Sequence, residues 1–142
     1  MNIGIDAKRL FNNFTGLGNY SRFIVQALAD HFPGNHYFLF SPKLKKHPEV
    51  DYFLNKDNIT TVLPPAYIRM LKGGSLWRTY MLGKESRRRE VSLFHGLSNE
   101  LPHDAGGIKC VVTIHDLIFM RFPQYYKSID VAIYKAKVKH AV

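Results

Sequence analysis

Residues 14–20 read Phe-Thr-Gly-Leu-Gly-Asn-Tyr, and they lie between a strand pattern and a helix pattern. Upstream, residues 2–7 alternate between apolar and polar side chains, as a half-buried β-strand does. Downstream, apolar residues recur at helical spacing from roughly Gly18 to His31. The first N–H groups of a helix have no partner within it, so a glycine-containing loop at this point favours phosphate. The stretch predicts a strand–loop–helix unit, and its glycines form either an anion site or a plain connection.

The rest of the chain continues this alternation of strands and helices. Further strand patterns occupy residues 36–40, 59–63, 90–96 and 109–116. Helix patterns lie near residues 50–54, after Gly74 and after Tyr126, the last with Ile129, Ala132, Ile133 and Ala136 on one face. The run from Cys110 to Ile114 is nearly continuous in apolar or β-branched residues, as buried parallel strands are. The pattern predicts an α/β fold, a Rossmann-like parallel sheet covered by helices on both faces.

The composition is typical of one globular domain covering residues 1–142. Of its residues 46% are hydrophobic, which is enough for a sizeable core. No apolar run approaches the length needed to span a bilayer, and no secretory signal is predicted at the N-terminus. The single Cys110 allows no internal disulfide, which fits a reducing compartment. We therefore expect a cytoplasmic protein.

The chain is strongly basic, with 20 Lys and Arg residues against 11 Asp and Glu residues and a net charge of +9. Such a charge suits nucleic acid, anionic lipid or phosphorylated small molecules, and it does not choose among them. Acidic residues elsewhere in a longer protein would balance it equally well. Peripheral contact with the inner face of an anionic membrane is one expectation that follows from the charge.

Three polar groups fall at the carboxyl ends of predicted strands, where open parallel sheets bind ligands. They are the loop with Gly16 and Gly18, the pair His95 and Gly96, and the pair His115 and Asp116. Each group alone has a structural explanation, such as capping or backbone strain. Because the carboxyl ends of parallel strands meet at one edge of the sheet, we expect the three groups to lie around one cleft.

Several other kinds of site are poorly supported by the sequence. No pair of Cys or His residues has metal-ligand spacing, so no metal is expected. The nucleophile turn of a Ser–His–Asp hydrolase and a Walker-type phosphate loop are both absent from the sequence. A dehydrogenase-type dinucleotide loop would have a third glycine where Ser21 stands.

Four segments together resemble the N-terminal half of group 1 retaining glycosyltransferases, which are GT-B enzymes of the mannosyltransferase-like kind. These segments are Gly16-Leu17-Gly18-Asn19-Tyr20, Leu93-Phe94-His95-Gly96, Val111–Leu117 and Arg121–Tyr126, and the resemblance covers nearly the whole chain in the right order. The resemblance implies that residues 1–142 are the acceptor-side Rossmann-like domain. The C-terminal donor-binding domain, with its two glutamates separated by seven residues, would then be missing, and the chain is expected to be inactive on its own.

The resemblance also implies the substrates and the donor contacts. The reaction would transfer a sugar from a nucleotide-diphosphate sugar to a polysaccharide or lipid-linked acceptor, without a cofactor or a metal. Gly16 and Gly18 would let the backbone approach the donor diphosphate, and Asn19 would add a polar contact. Family members usually carry a basic residue where this chain has Asn19.

The remaining site residues are likewise implied by the resemblance. As catalytic residues, His115 would reach the transferred sugar and Asp116 would support the loop that carries His115. His95 and Gly96 would lie in the cleft on the acceptor side. The alternative function is a non-catalytic nucleotide- or nucleic-acid-binding α/β module, although nucleic acid is not expected because the sequence has no recognition helix or aromatic-stacking motif.

Overall fold

Five strands form one sheet in which every neighbouring pair is parallel, with the spatial order β3-β2-β1-β4-β5. The computed structural model describes residues 1–71 and 73–142, and at Ser75 it describes the backbone alone. The strands are β1 (Asn2–Asp6), β2 (His36–Phe40), β3 (Ile59–Val62), β4 (Leu93–Gly96) and β5 (Lys109–Val112). The predicted α/β class and parallel sheet are confirmed.

The helices alternate with these strands along the chain. They are α1 (Lys8–Asn12), α2 (Gly16–His31), α3 (Asp51–Asn55), α4 (Ala66–Met70), α5 (Gly74–Tyr80), α6 (Leu82–Arg87), α7 (Ile118–Arg121) and α8 (Ser128–Ala141). Single turns of 3-10 helix precede α3 and α8, at Pro48–Val50 and Pro123–Tyr125. Within the described residues, no helix has both the length and the apolar character needed to cross a bilayer.

Each face of the sheet has its own hydrophobic core, because successive strand residues point to opposite faces. On β2, Tyr37 and Leu39 pack into the core that α1, α2 and α3 cover. Phe38 and Phe40 alternate with these two residues along β2 and face the other side of the sheet. There they pack with Trp77 of α5 and other apolar residues. Helices therefore cover both faces of the sheet, as predicted.

The helix expected from roughly Gly18 begins two residues earlier, at Gly16, and residues 8–12 form a further short helix, α1, which the sequence did not predict. α1 forms because Ala7, Leu10 and Phe11, which are spaced i, i+3 and i+4, are all fully buried in the core. Its first amide, that of Lys8, donates to Asp6 Oδ1 at 3.2 Å. Gly16 and Gly18 therefore lie in the first turn of a helix, not in a loop.

Two expectations about the end of the chain are wrong. β5 is an edge strand rather than a buried one, and Val111 is 47% exposed because β5 has only β4 as a neighbour. On α8, the buried residue is Val131, whereas Ile129 and Ile133 of the predicted inner face are exposed. Apolar residues occur on both sides of α8, so their spacing identified a helix but did not identify the side that packs on the protein.

Candidate functional site

The site lies at the carboxyl edge of the sheet, above the junction of β1 and β4. The chain leaves β1 toward β2 on one side and later returns to β4 on the other, so the strand order reverses here. Loops leaving the two strands diverge at such a point and leave a crevice, which is where open α/β sheets bind ligands.

A buried ion network forms the floor of this region. Asp6, the last residue of β1, is only 2% exposed. Nε of Arg78 lies 3.1 Å from both Asp6 carboxylate oxygens, and Nη1 of Arg78 contacts Glu100. Although burial of Arg78 opposes its charge, these two carboxylates raise the pKa of its guanidinium above the ordinary value. The network ties α5 to β1 and to the loop after β4.

Two crevices open beside this network. The Arg78 crevice has a volume of about 170 Å³ and is lined by residues including Asp6, Arg78, His103 and His140. The His115 crevice has a volume of about 190 Å³, and its lining includes Arg9, Leu17, Asn99, His115, Asp116, Phe119, Tyr126 and Tyr134. Glu100 and Lys137 line both crevices, and their ion pair at 2.6 Å stands between them.

His115 is held in one orientation at the wall of its crevice. Its Nε2 lies 2.8 Å from the carbonyl oxygen of Leu97, so Nε2 must donate and the neutral ring keeps Nδ1 as an acceptor. The ring packs edge-on against Tyr20 of α2, with centroids 5.0 Å apart. The backbone N–H of His115 donates to Asn99 Oδ1 at 3.3 Å. The crevice wall therefore joins α2 to the segments that follow β4 and β5.

Asn99 carries backbone strain at this point. Its φ is +58°, in the left-handed region that non-glycine residues seldom adopt, although asparagine tolerates it better than most. Two contacts hold the conformation: the Asn99 N–H donates to the Thr113 carbonyl at 3.0 Å, and its side chain accepts from His115. Strained residues of this kind cluster at functional sites. Nothing in the local sequence distinguishes Asn99 beyond its place after β4.

His95 lies next to the His115 crevice without lining it. Its Nε2 is 2.9 Å from Thr113 Oγ1, which in turn lies 3.4 Å from the Tyr20 hydroxyl. Burial lowers the pKa of His95 below its ordinary value, so the fold favours the neutral ring. Through Thr113 and Tyr20, His95 connects β4 to α2 beneath the crevice.

This burial predicts an acid-sensitive contribution to stability. The unfolded chain binds a proton at His95 at higher pH than the fold does, so the free energy of unfolding should fall as the pH drops below the ordinary histidine pKa. His95→Gln should reduce that loss, as measured by urea unfolding across pH 5 to 8 (about the range in which histidine titrates). His36→Gln is the control, because His36 makes a similar contact of 2.8 Å to Thr60 Oγ1 at the opposite edge of the sheet. Equal effects of the two variants would contradict the prediction.

Gly18 and Asn19 are engaged within the protein. A Cβ added at Gly18 would lie 1.7 Å from the carbonyl oxygen of Asn13, so the absent side chain makes room for backbone. The Gly18 N–H donates to Asn13 Oδ1 at 3.2 Å, and Asn19 Oδ1 accepts from Arg22 at 2.5 Å. A Cβ added at Gly16 would meet no other part of the protein within 4 Å. Leu17, between the two glycines, is the residue of this turn that lines the His115 crevice.

Gly96 and Asp116 have structural contacts of their own. A Cβ added at Gly96 would lie 2.0 Å from the carbonyl oxygen of Glu100, so Gly96 lets the loop after β4 fold back and place Glu100 in the ion network. Asp116 is exposed, and its Oδ1 accepts from the N–H of Ile118 at 3.1 Å at the start of α7. The sequence identified both residues by position, but these contacts depend on the fold.

Sequence reasoning missed the charged residues that dominate the site, namely Arg78, Glu100 and Lys137. They come from α5, a loop and α8, and nothing in their local sequence distinguishes them from surface charges. The same network changes the pKa of Lys8, which burial and then the charge of Arg78 lower.

Among residues 1–71 and 73–142, no group of three or more His, Cys, Asp or Glu side chains is placed to hold a metal ion.

Comparison with protein-family models, with curated proteins and with solved structures found no match for this chain.

Proposed function

We propose that this domain is the acceptor-side half of a glycosyltransferase that uses a nucleotide-diphosphate sugar. The observation that carries the proposal is the His115 crevice. There a histidine with a fixed tautomer, a strained asparagine and the start of α2 meet at the carboxyl edge of a parallel sheet. The resemblance of the same segments to group 1 retaining glycosyltransferases supplies the reaction class.

The lining of the His115 crevice suits a hydroxyl-rich ligand with an apolar ring face. Phe119, Tyr126 and Tyr134 offer ring surfaces, as binding pockets for rigid organic ligands commonly do. Arg9 and Lys137 bring positive charge to this lining and Glu100 and Asp116 bring negative charge to it, so it offers both hydrogen-bond donors and acceptors. A sugar has both the apolar ring face and the hydroxyl groups that such a lining would recognise.

In this proposal His115 contacts the transferred sugar directly. Because Nε2 donates to Leu97, Nδ1 is the ring atom left to accept a hydrogen bond from a sugar hydroxyl. Asp116 acts indirectly, because its Oδ1 accepts from the N–H of Ile118 at the start of α7 and so holds the segment on which His115 lies. His95 and Gly96 support the same wall from β4, and Gly16, Gly18 and Asn19 shape the start of α2 beside the donor diphosphate.

We place this activity in the cytoplasm, where a polysaccharide or lipid-linked acceptor at the inner membrane face would be reached. A second domain would hold the nucleotide, so the chain alone is proposed to bind sugar without transferring it. No cofactor and no metal are part of the proposal.

Binding to the isolated domain tests the proposal. In two-dimensional NMR titrations with GDP-mannose, UDP-glucose and free oligosaccharides, at least one probe should shift resonances around the His115 crevice. His115→Ala should weaken that binding about tenfold, the equivalent of one lost hydrogen bond of about 1.4 kcal/mol. His36→Ala, at the far edge of the sheet, should leave it unchanged. No shifts with any sugar, together with salt-sensitive binding of RNA or DNA, would instead favour the nucleic-acid module.

A further inference from the structure

The Arg78 crevice and the His115 crevice share one wall, which is formed by Glu100 and Lys137. The proposed function uses only the His115 crevice, and its volume of about 190 Å³ is below the roughly 300 Å³ at which ligand pockets usually begin. With the volume of the Arg78 crevice, about 170 Å³, the combined space exceeds that lower limit. The shared wall therefore decides how long a ligand the site accepts.

Glu100 is the fixed half of this wall. Nη1 of Arg78 contacts its carboxylate from α5, and the close approach at Gly96 holds the loop that carries Glu100 against the end of β4. Lys137 is the movable half, because its side chain is 41% exposed, against 24% for Glu100, and reaches Glu100 Oε1 through a long flexible stem. Partly exposed ion pairs contribute little to stability, and Glu100 keeps Arg78 when Lys137 moves away. A ligand can therefore part the wall.

A hydroxyl group is well suited to lie between the two halves of the wall. The carboxylate of Glu100 accepts hydrogen bonds and the ammonium of Lys137 donates them, whereas a hydroxyl does both. A hydroxyl placed there would donate to Glu100 Oε1 and accept from Lys137 Nζ, so neither charge would lose a partner. An anionic group would be repelled by Glu100, and a cationic group would be repelled by Lys137. The wall therefore favours a neutral, hydroxyl-rich ligand.

The lining of the Arg78 crevice suits a second sugar unit. It combines apolar side chains with two histidine rings, namely Leu82, Leu101, Ala136, His103 and His140. The two rings lie side by side, with centroids 4.3 Å apart. Imidazole nitrogens donate or accept hydrogen bonds, and apolar surface with a few polar groups is the usual lining of a small-molecule site. A sugar ring offers an apolar face to the first kind of side chain and hydroxyls to the second.

We propose that the site binds a saccharide of at least two units, with one unit in each crevice and a hydroxyl of the second unit between Glu100 and Lys137. The proposal rests on the proposed function and extends it to the length of the saccharide. A monosaccharide would occupy the His115 crevice and leave the wall closed. A disaccharide gains the contacts of the second crevice, so it binds more tightly than its own monosaccharide. Lys137 is the residue that sets this preference.

Titration of the protein with mannose, mannobiose, glucose and maltose, followed by two-dimensional NMR, tests the proposal. For at least one of the two pairs, the disaccharide should bind at least about tenfold more tightly than the monosaccharide, the equivalent of one hydrogen bond. The disaccharide alone should shift the ring resonances of His103 and His140, whereas both sugars should shift those of His115. Equal affinities within both pairs, or shifts confined to His115, would overturn the proposal.

Variants of Lys137 test its role in the wall. Lys137→Met removes the ammonium and should weaken disaccharide binding about tenfold, through loss of one hydrogen bond. Lys137→Arg keeps a cationic donor and should restore most of the affinity. Lys135→Met is the control, because Lys135 is exposed on the same helix and lines neither crevice. Equal effects of Lys137→Met and Lys135→Met would overturn the role of Lys137.

A second pair of variants tests the Arg78 crevice. Ala136→Phe would fill this crevice and should also weaken disaccharide binding about tenfold, whereas Ala132→Phe should not, because Ala132 lies one turn earlier on α8 and lines neither crevice. Circular dichroism checks that the variants keep their helices. Binding of monosaccharide and disaccharide that does not differ in these ways would overturn only the length of the saccharide. No binding of any sugar, the nucleotide sugars included, would overturn the proposed function as well.

Discussion

Gly18→Ala is expected to destabilise the protein by about 3 kcal/mol, the upper part of the usual range for forcing atoms into a packed site. The new Cβ would lie 1.7 Å from the carbonyl oxygen and 2.6 Å from the carbonyl carbon of Asn13. The neighbour is backbone, so it cannot rotate away as a side chain would. Its carbonyl also accepts from Arg22 Nη1 at 2.9 Å, so moving it would disturb that contact as well. Urea unfolding measures the loss.

Gly16→Ala is the matched control, two residues earlier in the same helical turn. Nothing lies within 4 Å of its added Cβ, and alanine favours helix over glycine. We expect this variant to gain about 0.5 kcal/mol, because alanine loses less backbone entropy on folding. Equal destabilisation by both variants would contradict the assignment of Gly18 to packing against Asn13. Unchanged stability of Gly18→Ala would contradict it too.

Arg78→Met is the second large effect, expected to lower the free energy of unfolding by about 3–5 kcal/mol. Methionine keeps most of the side chain's length but removes the charge, so the carboxylate of Asp6, only 2% exposed, loses its partner. Glu100 loses the same partner but keeps Lys137 at 2.6 Å. Leaving a buried charge uncompensated costs far more than the pair itself contributes.

Two comparisons test this explanation. Lys56→Met removes an ion pair of 2.7 Å with Asp30, but both groups are in contact with water, so stability should barely change. Adding Asp6→Asn to Arg78→Met should restore part of the stability, since the unpaired charge is then gone. If the double variant is as unstable as the sum of the two single ones, the loss comes from packing rather than from an unpaired charge.

Local sequence was sufficient for the elements whose pattern depends on near neighbours. β2 was predicted at residues 36–40 and is found at His36–Phe40, because an aromatic run bounded by Gly34-Asn35 and Pro42 has few alternatives. The parallel sheet followed from the alternation of strands and helices, since parallel strands need a crossover between them. Placing His95 and His115 near one edge followed from the same topology.

The contacts that give the site its chemistry could not be found in this way. Arg78 forms an ion pair with Asp6, which is 72 residues away in the sequence, and the local sequence around either residue does not predict this pair. The sequence identifies Gly18 as a candidate site residue, but only the fold places the Asn13 carbonyl against it.

The sequence by itself determined where the five strands lie, where the long helix after the first strand lies, and that the strands run parallel. The tertiary structure decided that β5 is an edge strand, which side of α8 is exposed, and which charges are buried together. The periodicity of apolar residues depends on positions within a turn or two of each other, so it can be recognised in a short stretch of sequence. Burial and ion pairing depend on segments that are far apart in the sequence and meet only when the chain folds.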